Sequence, residues 1–199
     1  MKKFLIIAIL MATGLTFAQE EKGSFFGGFE SNSQWLLDDD GLGFVAPEDQ
    51  FRANNYLQLN YNYGKFTAGI QYESYLPSAL LGFSPDFDAN NGVANYFLNF
   101  KNETLDITGG YCYEQFGNGL ILRSWEDRQL GINTAIRGVR IKFDPLQDLS
   151  LTALFGQQRN GFEVSDGTIS GLDANFDRGS AAELGSVDLR IGASYVSRY

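Results

Sequence analysis

The sequence predicts an all-β protein: an antiparallel transmembrane β-barrel of the outer-membrane kind, with about eight strands present. Three observations predict it. Segments of about ten residues alternate apolar and polar side chains, the period at which neighbours on a strand face opposite sides. Long connections alternate with tight turns, as they do when turns gather at one barrel end and loops at the other. The chain is also aromatic, with 10 Tyr and 17 Phe, yet polar on average at a mean hydropathy of −0.18. That combination suits strands with one side in lipid and one in water.

Residues 1–18 read as a signal peptide. Met1-Lys2-Lys3 supplies the basic start, residues 4–15 the apolar middle, and Ala18 the small residue before a cut ahead of Gln19. The apolar run is short for a spanning helix. Residues 19–199 are then the barrel domain, exported to the outer membrane of a Gram-negative cell.

The first strand, residues 24–36, sets Phe25, Gly27, Phe29 and Trp35 against Glu30, Asn32 and Gln34; an acidic connection, 37–50, follows. The second, 51–62, places Leu57, Leu59 and Tyr61 opposite Arg52, Asn54, Gln58 and Asn60, and turns at Gly64. The third, 66–76, alternates Phe66, Ala68, Ile70 and Tyr72 with Thr67, Gln71 and Glu73, and Pro77 ends it. After a long loop, the fourth, 93–101, pairs by a tight turn with the fifth, 104–115, where Leu105, Ile107, Tyr111 and Tyr113 oppose Asp106, Thr108, Cys112 and Glu114. A long loop, 116–137, leads to the sixth strand, 138–143, and a compact turn, 144–148, to the seventh, 149–157. A third long loop, 158–183, precedes the eighth strand, 184–199. With the N-terminus in the periplasm, every tight turn is then periplasmic and every long loop external. A soluble β-sandwich or lipocalin-like barrel also alternates, but its apolar face must lie inside. Here the polar faces carry Asn, Gln, Ser, Thr and charges of both signs, which suits a wet lumen.

The charge balance, 15 basic against 24 acidic residues, argues against nucleic acid, which is bound through Lys and Arg on phosphates. The chain has no histidine, which removes Ser-His-Asp and Cys-His catalysis and His-based zinc sites. An enzyme is therefore not expected, nor a cofactor. Cys112 is the only cysteine, so no intramolecular disulfide is available.

From Gly28 onward the chain resembles an uncharacterised, porin-like family of outer-membrane barrels from Bacteroidota. The likeness is carried by residues 29–35 (FESNSQW), 60–66 (NYNYGKF), 113–117 (YEQFG) and, most specifically, 120–132 (LILRSWEDRQLGI). It implies a barrel without established catalytic or binding residues. Members of that family look longer, so the resemblance implies that this chain is the N-terminal part of a larger barrel. The competing expectation is a complete eight-stranded barrel closed by a strand carrying Tyr195 and Tyr199.

Candidate sites centre on the 116–137 loop. Ser124-Trp125-Glu126-Asp127 has the form of a capping box that starts a short helix. Arg123, Trp125, Glu126, Asp127 and Arg128 gather there, either as a lumen plug pairing arginines with Glu30, Glu73 or Glu114, or as a constriction or a partner-facing surface. Arg140 and Lys142 face the lumen carboxylates. Two segments with alternating oxygen ligands, Asp86 with Asp88 and Asp173 with Asn175 and Asp177, are weak Ca²⁺ candidates whose EF-hand register fails. Three function classes follow: a channel for an unknown small solute, a scaffold whose loops bind envelope proteins, and, least favoured, an enzyme. The remaining expected partners are outer-membrane lipid and lipopolysaccharide.

Overall fold

The computed structural model describes residues 22–77, 80, 91–178 and 189–199. The expected leader, residues 1–18, and the Asp86 and Asp88 candidates lie outside them. The strands are β1 (Ser24–Trp35), β2 (Phe51–Tyr63), β3 (Phe66–Leu76), β4 (Asn91–Lys101), β5 (Leu105–Cys112), β6 (Glu126–Asp127), β7 (Ile132–Asn133), β8 (Ile136–Leu146), β9 (Leu149–Asn160), β10 (Glu163–Arg178) and β11 (Leu189–Arg198). Nine of them form one antiparallel sheet in the order β1-β2-β3-β4-β5-β8-β9-β10-β11, and β6 pairs with β7 apart from it. Every neighbour in the large sheet is also the next strand of that sheet along the chain, so the topology is a plain meander.

Among the described residues the sheet is open: β1 pairs only with β2, and β11 only with β10. All twelve residues of β1 are exposed. Against the expected eight or so strands, the described residues build a sheet of nine. β10 lies within the stretch expected to be a loop, 158–183. Among the described residues the last strand is Leu189–Arg198; its expected start at 184 lies outside them.

A tight turn with Gly161 at φ 64° joins β9 to β10. It falls at the rim where the long connections 36–50 and 113–135 lie, so the expected segregation of turns and loops breaks at this hairpin. Smaller corrections have local causes. β5 pairs with β4 only as far as Gly110, whose φ of 107° breaks the regular ladder, and the strand stops at Cys112. β8 runs through Pro145 to Leu146 by way of an irregularity after Phe143, so the expected compact turn shrinks to Gln147-Asp148.

Alternation sorts the two faces, and the sorting is inverted relative to a soluble protein. In β2, Leu57 and Leu59 are exposed while Asn54 and Tyr56 are buried; in β3, Ile70 and Tyr72 are exposed while Gln71 and Glu73 are buried. Register keeps like with like across the ladder: Leu59 faces Ile70, Ile70 faces Tyr96, and Ile141 faces Ala153, all on the apolar side. On the other side Gln58 meets Gln71, Gln71 meets Asn95, and Asn99 meets Thr108. Aromatic pairs sit at the strand ends: Phe25–Tyr61 and Phe66–Phe100 at one rim, Trp35–Phe51 at the other.

The polar face is concave. Arg159 on β9 holds Glu73 on β3 at 2.6 Å, across four strand steps. On a flat sheet that span is about 19 Å, so the sheet curls and the β9–β10 tip folds inward. Phe162 at that tip packs against Tyr75, ring centroids 6.1 Å apart.

Along the β8–β9 ladder, Gly138 faces Gly156. A Cβ on Gly138 would lie 1.9 Å from the Phe155 carbonyl oxygen, whereas one on Gly109 meets nothing within 4 Å. Gly138→Val is expected to lower stability by about 1–3 kcal/mol and Gly109→Val by far less. Denaturant midpoints of the two variants check this; equal midpoints would show that the strands part at no cost.

Candidate functional site

The connection between β5 and β8, residues 113–135, folds back over the concave face. Its first part is a tight excursion. The Glu114 amide donates to Ser124 Oγ at 2.8 Å, the Ser124 amide to the Glu114 carbonyl at 2.8 Å, and the Phe116 amide to the Leu122 carbonyl at 3.1 Å. Gly117 and Gly119 take positive φ at its tip. This geometry drives Phe116 and Leu122 into an apolar cluster with Cys112, Ile136, Leu154 and Ile169. The Phe116 ring occupies the space that Gly171 leaves open, since a Cβ there would fall 2.6 Å from it.

The second part is the β6–β7 hairpin. Asp127 Oδ1 accepts from the amides of Gln129 and Leu130 at 2.9 and 3.0 Å, and Gly131 has φ 66°. These bonds make Asp127 the start of an Asx-type turn. The expected helix is therefore absent from this loop. Ser124 spends its hydroxyl on Glu114, ten residues back, and Asp127 caps a hairpin turn instead of a helix.

From the hairpin, Arg128 reaches to the far side of the trough. It pairs with Glu30 on β1 at 2.5 Å and with Glu126 at 3.3 Å, and its guanidinium lies 4.6 Å from the Tyr56 ring centre. Burial works against its charge, but the hydrogen bond to Glu30 and the charge of Glu126 outweigh that and raise its pKa. Glu126 also accepts from Gln71 Nε2 at 3.2 Å. Tyr113 stands beside it, taking a hydrogen bond from Asn133 at 2.9 Å; burial and the Glu126 carboxylate push its phenol up to about 12. The loop thus bridges the trough, anchored by apolar packing on the β8–β10 side and by charge on the β1–β3 side.

The other sequence-selected residues fall into separate places. Arg123 lies over the Trp125 ring at 4.9 Å, a cation–π contact, and Trp125 is half-buried rather than exposed. Arg140 pairs with Asp106 at 2.5 Å and Glu114 at 3.4 Å. Lys142 does not join them; it lies 4.0 Å from Asp144 near the turn rim. Glu73 is fully buried and accepts from Arg159, from Gln71 at 2.7 Å and from Tyr75 at 2.6 Å.

The Asp173, Asn175 and Asp177 candidates are not a loop. They alternate because they lie on β10, where every second residue shares a face. Asp173 accepts from Asn175 and from Ser194 Oγ, and Asp177 pairs with Arg190 at 3.1 Å. Among the described residues no group of three His, Cys, Asp or Glu is placed to hold a metal ion.

Sequence reasoning missed Arg159 and Asn95. Counting alternate faces puts Arg159 with the outward Phe155, but the inward fold of the hairpin tip brings it to Glu73. Asn95 had a signal, its place on the polar face of the fourth strand, and nothing to single it out there.

No curated protein matches the chain. One family model does, over residues 1–199. The chain belongs to that family, DUF6029, a family of unknown function.

Proposed function

We propose that this protein is an outer-membrane β-barrel of the porin-like kind, which passes small polar solutes through a lumen narrowed by residues 113–135. The observation that carries the reading is the inverted amphipathicity of the sheet: apolar side chains on the exposed convex face, Asn, Gln and paired charges on the concave one. In water such a face is a liability; in a bilayer it is the wall of a barrel. The aromatic pairs at both rims support it. From Phe51 to Tyr61 is ten steps of about 3.3 Å, which at the usual barrel tilt gives an apolar band about 25 Å tall.

The interior charges bear on what would pass. Glu30, Glu73, Asp106 and Glu114 each have an arginine within 3.4 Å. With these four carboxylates paired, they lend little preference for cations over anions. A non-conducting scaffold is the second reading, favoured by the buried Glu73–Arg159 pair and the loop that bridges the trough; its external loops would bind envelope proteins.

Planar-bilayer recording with the purified full-length protein separates the two. Discrete conductance steps with a reversal potential near zero in a salt gradient are expected of the channel. Silence, together with a stoichiometric partner in crosslinked outer membranes, would sink it in favour of the scaffold.

A further inference from the structure

Beneath the β6–β7 hairpin the concave face forms an open-mouthed cavity of about 370 Å³, within the range of about 300–1,000 Å³ common for small-molecule sites. Gln58, Gln71, Asn95, Asn99 and Thr108 line its polar side, and Glu126 reaches it from the hairpin. Phe97, Tyr111 and Tyr113 supply aromatic surface, and Arg140 also lines it.

Two properties of this lining define a ligand. The first is that its charges are already spent. Glu126 is held by Arg128 and Gln71, and Arg140 by Asp106 and Glu114. A charged ligand would have to displace one of these pairs. The second is the mixed hydrogen-bonding character of its uncharged lining. Gln58, Asn95 and Asn99 bring amides that donate and accept, and Thr108 brings a hydroxyl. Hydroxyl groups both donate and accept, so one chemical group serves both. Aromatic rings beside amides suit a molecule with apolar C–H faces and a hydroxylated edge.

We propose that this cavity is a binding site for a neutral polyhydroxylated ligand, a monosaccharide or a polyol. The proposal deepens the solute-passing reading by naming a solute class, and it rests on that reading only in needing a water-facing interior. Occupancy would seat the ligand among these amides, against the side of the hairpin that carries Glu126.

The test is calorimetric titration of the full-length protein in detergent micelles with D-glucose, sorbitol, gluconate and glucosamine. Saturable heat is expected with glucose or sorbitol, and at least about tenfold weaker binding with the two charged probes. Asn95→Leu removes a lining amide, and Thr67→Phe fills the cavity from its half-buried lining position. Each is expected to weaken glucose binding about tenfold while heat-dependent gel migration stays that of the folded protein. Gluconate or glucosamine binding as tightly as glucose would overturn the proposal. So would the absence of saturable heat with all four probes, or unchanged affinity in both folded variants. Bilayer recording on the same samples keeps the two ideas separable. Steps without saturable binding overturn the site and leave the channel; saturable binding without steps supports the site and removes the channel.

Discussion

Glu73→Leu is expected to destabilise the protein by about 3–5 kcal/mol, because it strands a guanidinium in the interior. Arg159 is 6% and Glu73 1% exposed, and the pair is bidentate, with Nη1 and Nη2 at 3.1 and 2.6 Å from the two carboxylate oxygens. The carboxylate also accepts from Gln71 and Tyr75. Removing it leaves a charge that water cannot reach. Arg159→Met is expected to cost a similar amount for the mirror reason. Glu73→Leu with Arg159→Met is expected to recover most of the loss, since a well-packed apolar pair often replaces a buried ion pair at little cost. Denaturant titration of the four proteins in detergent, followed by tryptophan fluorescence, gives the cycle. A single-variant loss below about 1 kcal/mol would be the value of a solvated pair and would mean that the hairpin tip does not close over β3.

The second large effect is expected at Phe116. Its ring is 1% exposed and sits among Leu122, Ile136, Leu154 and Ile169, so truncation to alanine removes about 3–5 kcal/mol of packing. The loss falls on the attachment of the loop rather than on the sheet, whose ladder does not include this residue. Phe116→Ala should therefore expose residues 113–135 to protease while the strands stay folded. On the channel reading it should also enlarge the conductance step. Gly171→Leu reaches the same end from the other wall by filling the space the ring needs. If both folded variants keep the parent's cleavage rate, the apolar anchor does not hold the loop.

Much of the sheet was legible in the sequence, because period two is a strong signal and lipid-type side chains mark it twice. β2, β3 and β4 fall close to where alternation puts them. β10 was missed for a physical reason. Its inward positions carry Asp173 and Asn175, which look like loop or ligand residues when burial is assumed to be apolar. The turn before it was written plainly, as Asn160-Gly161, a strong short-range hairpin signal.

The loop was legible as charge but not as shape. Ser124 and Asp127 satisfy a helix-capping pattern equally well when they bond across a hairpin, and no local rule decides between the two. The Arg128–Glu30 contact joins residues ninety-eight positions apart. Only the curl of the sheet brings them together, and curl has no signature in a linear pattern.

The meander of nine strands fixes one more property. Direction reverses at every step, so after eight reversals β11 runs the same way as β1. The chain enters the sheet at the rim of the turns 64–65 and 147–148 and leaves it at the rim of the connections 36–50 and 113–135. A direct seam between the two edges would be the sheet's one parallel ladder, with slanted, evenly spaced bonds in place of the alternating pairs elsewhere. In a bilayer, an epitope joined after Tyr199 and one joined before Ser24 would then report from opposite leaflets.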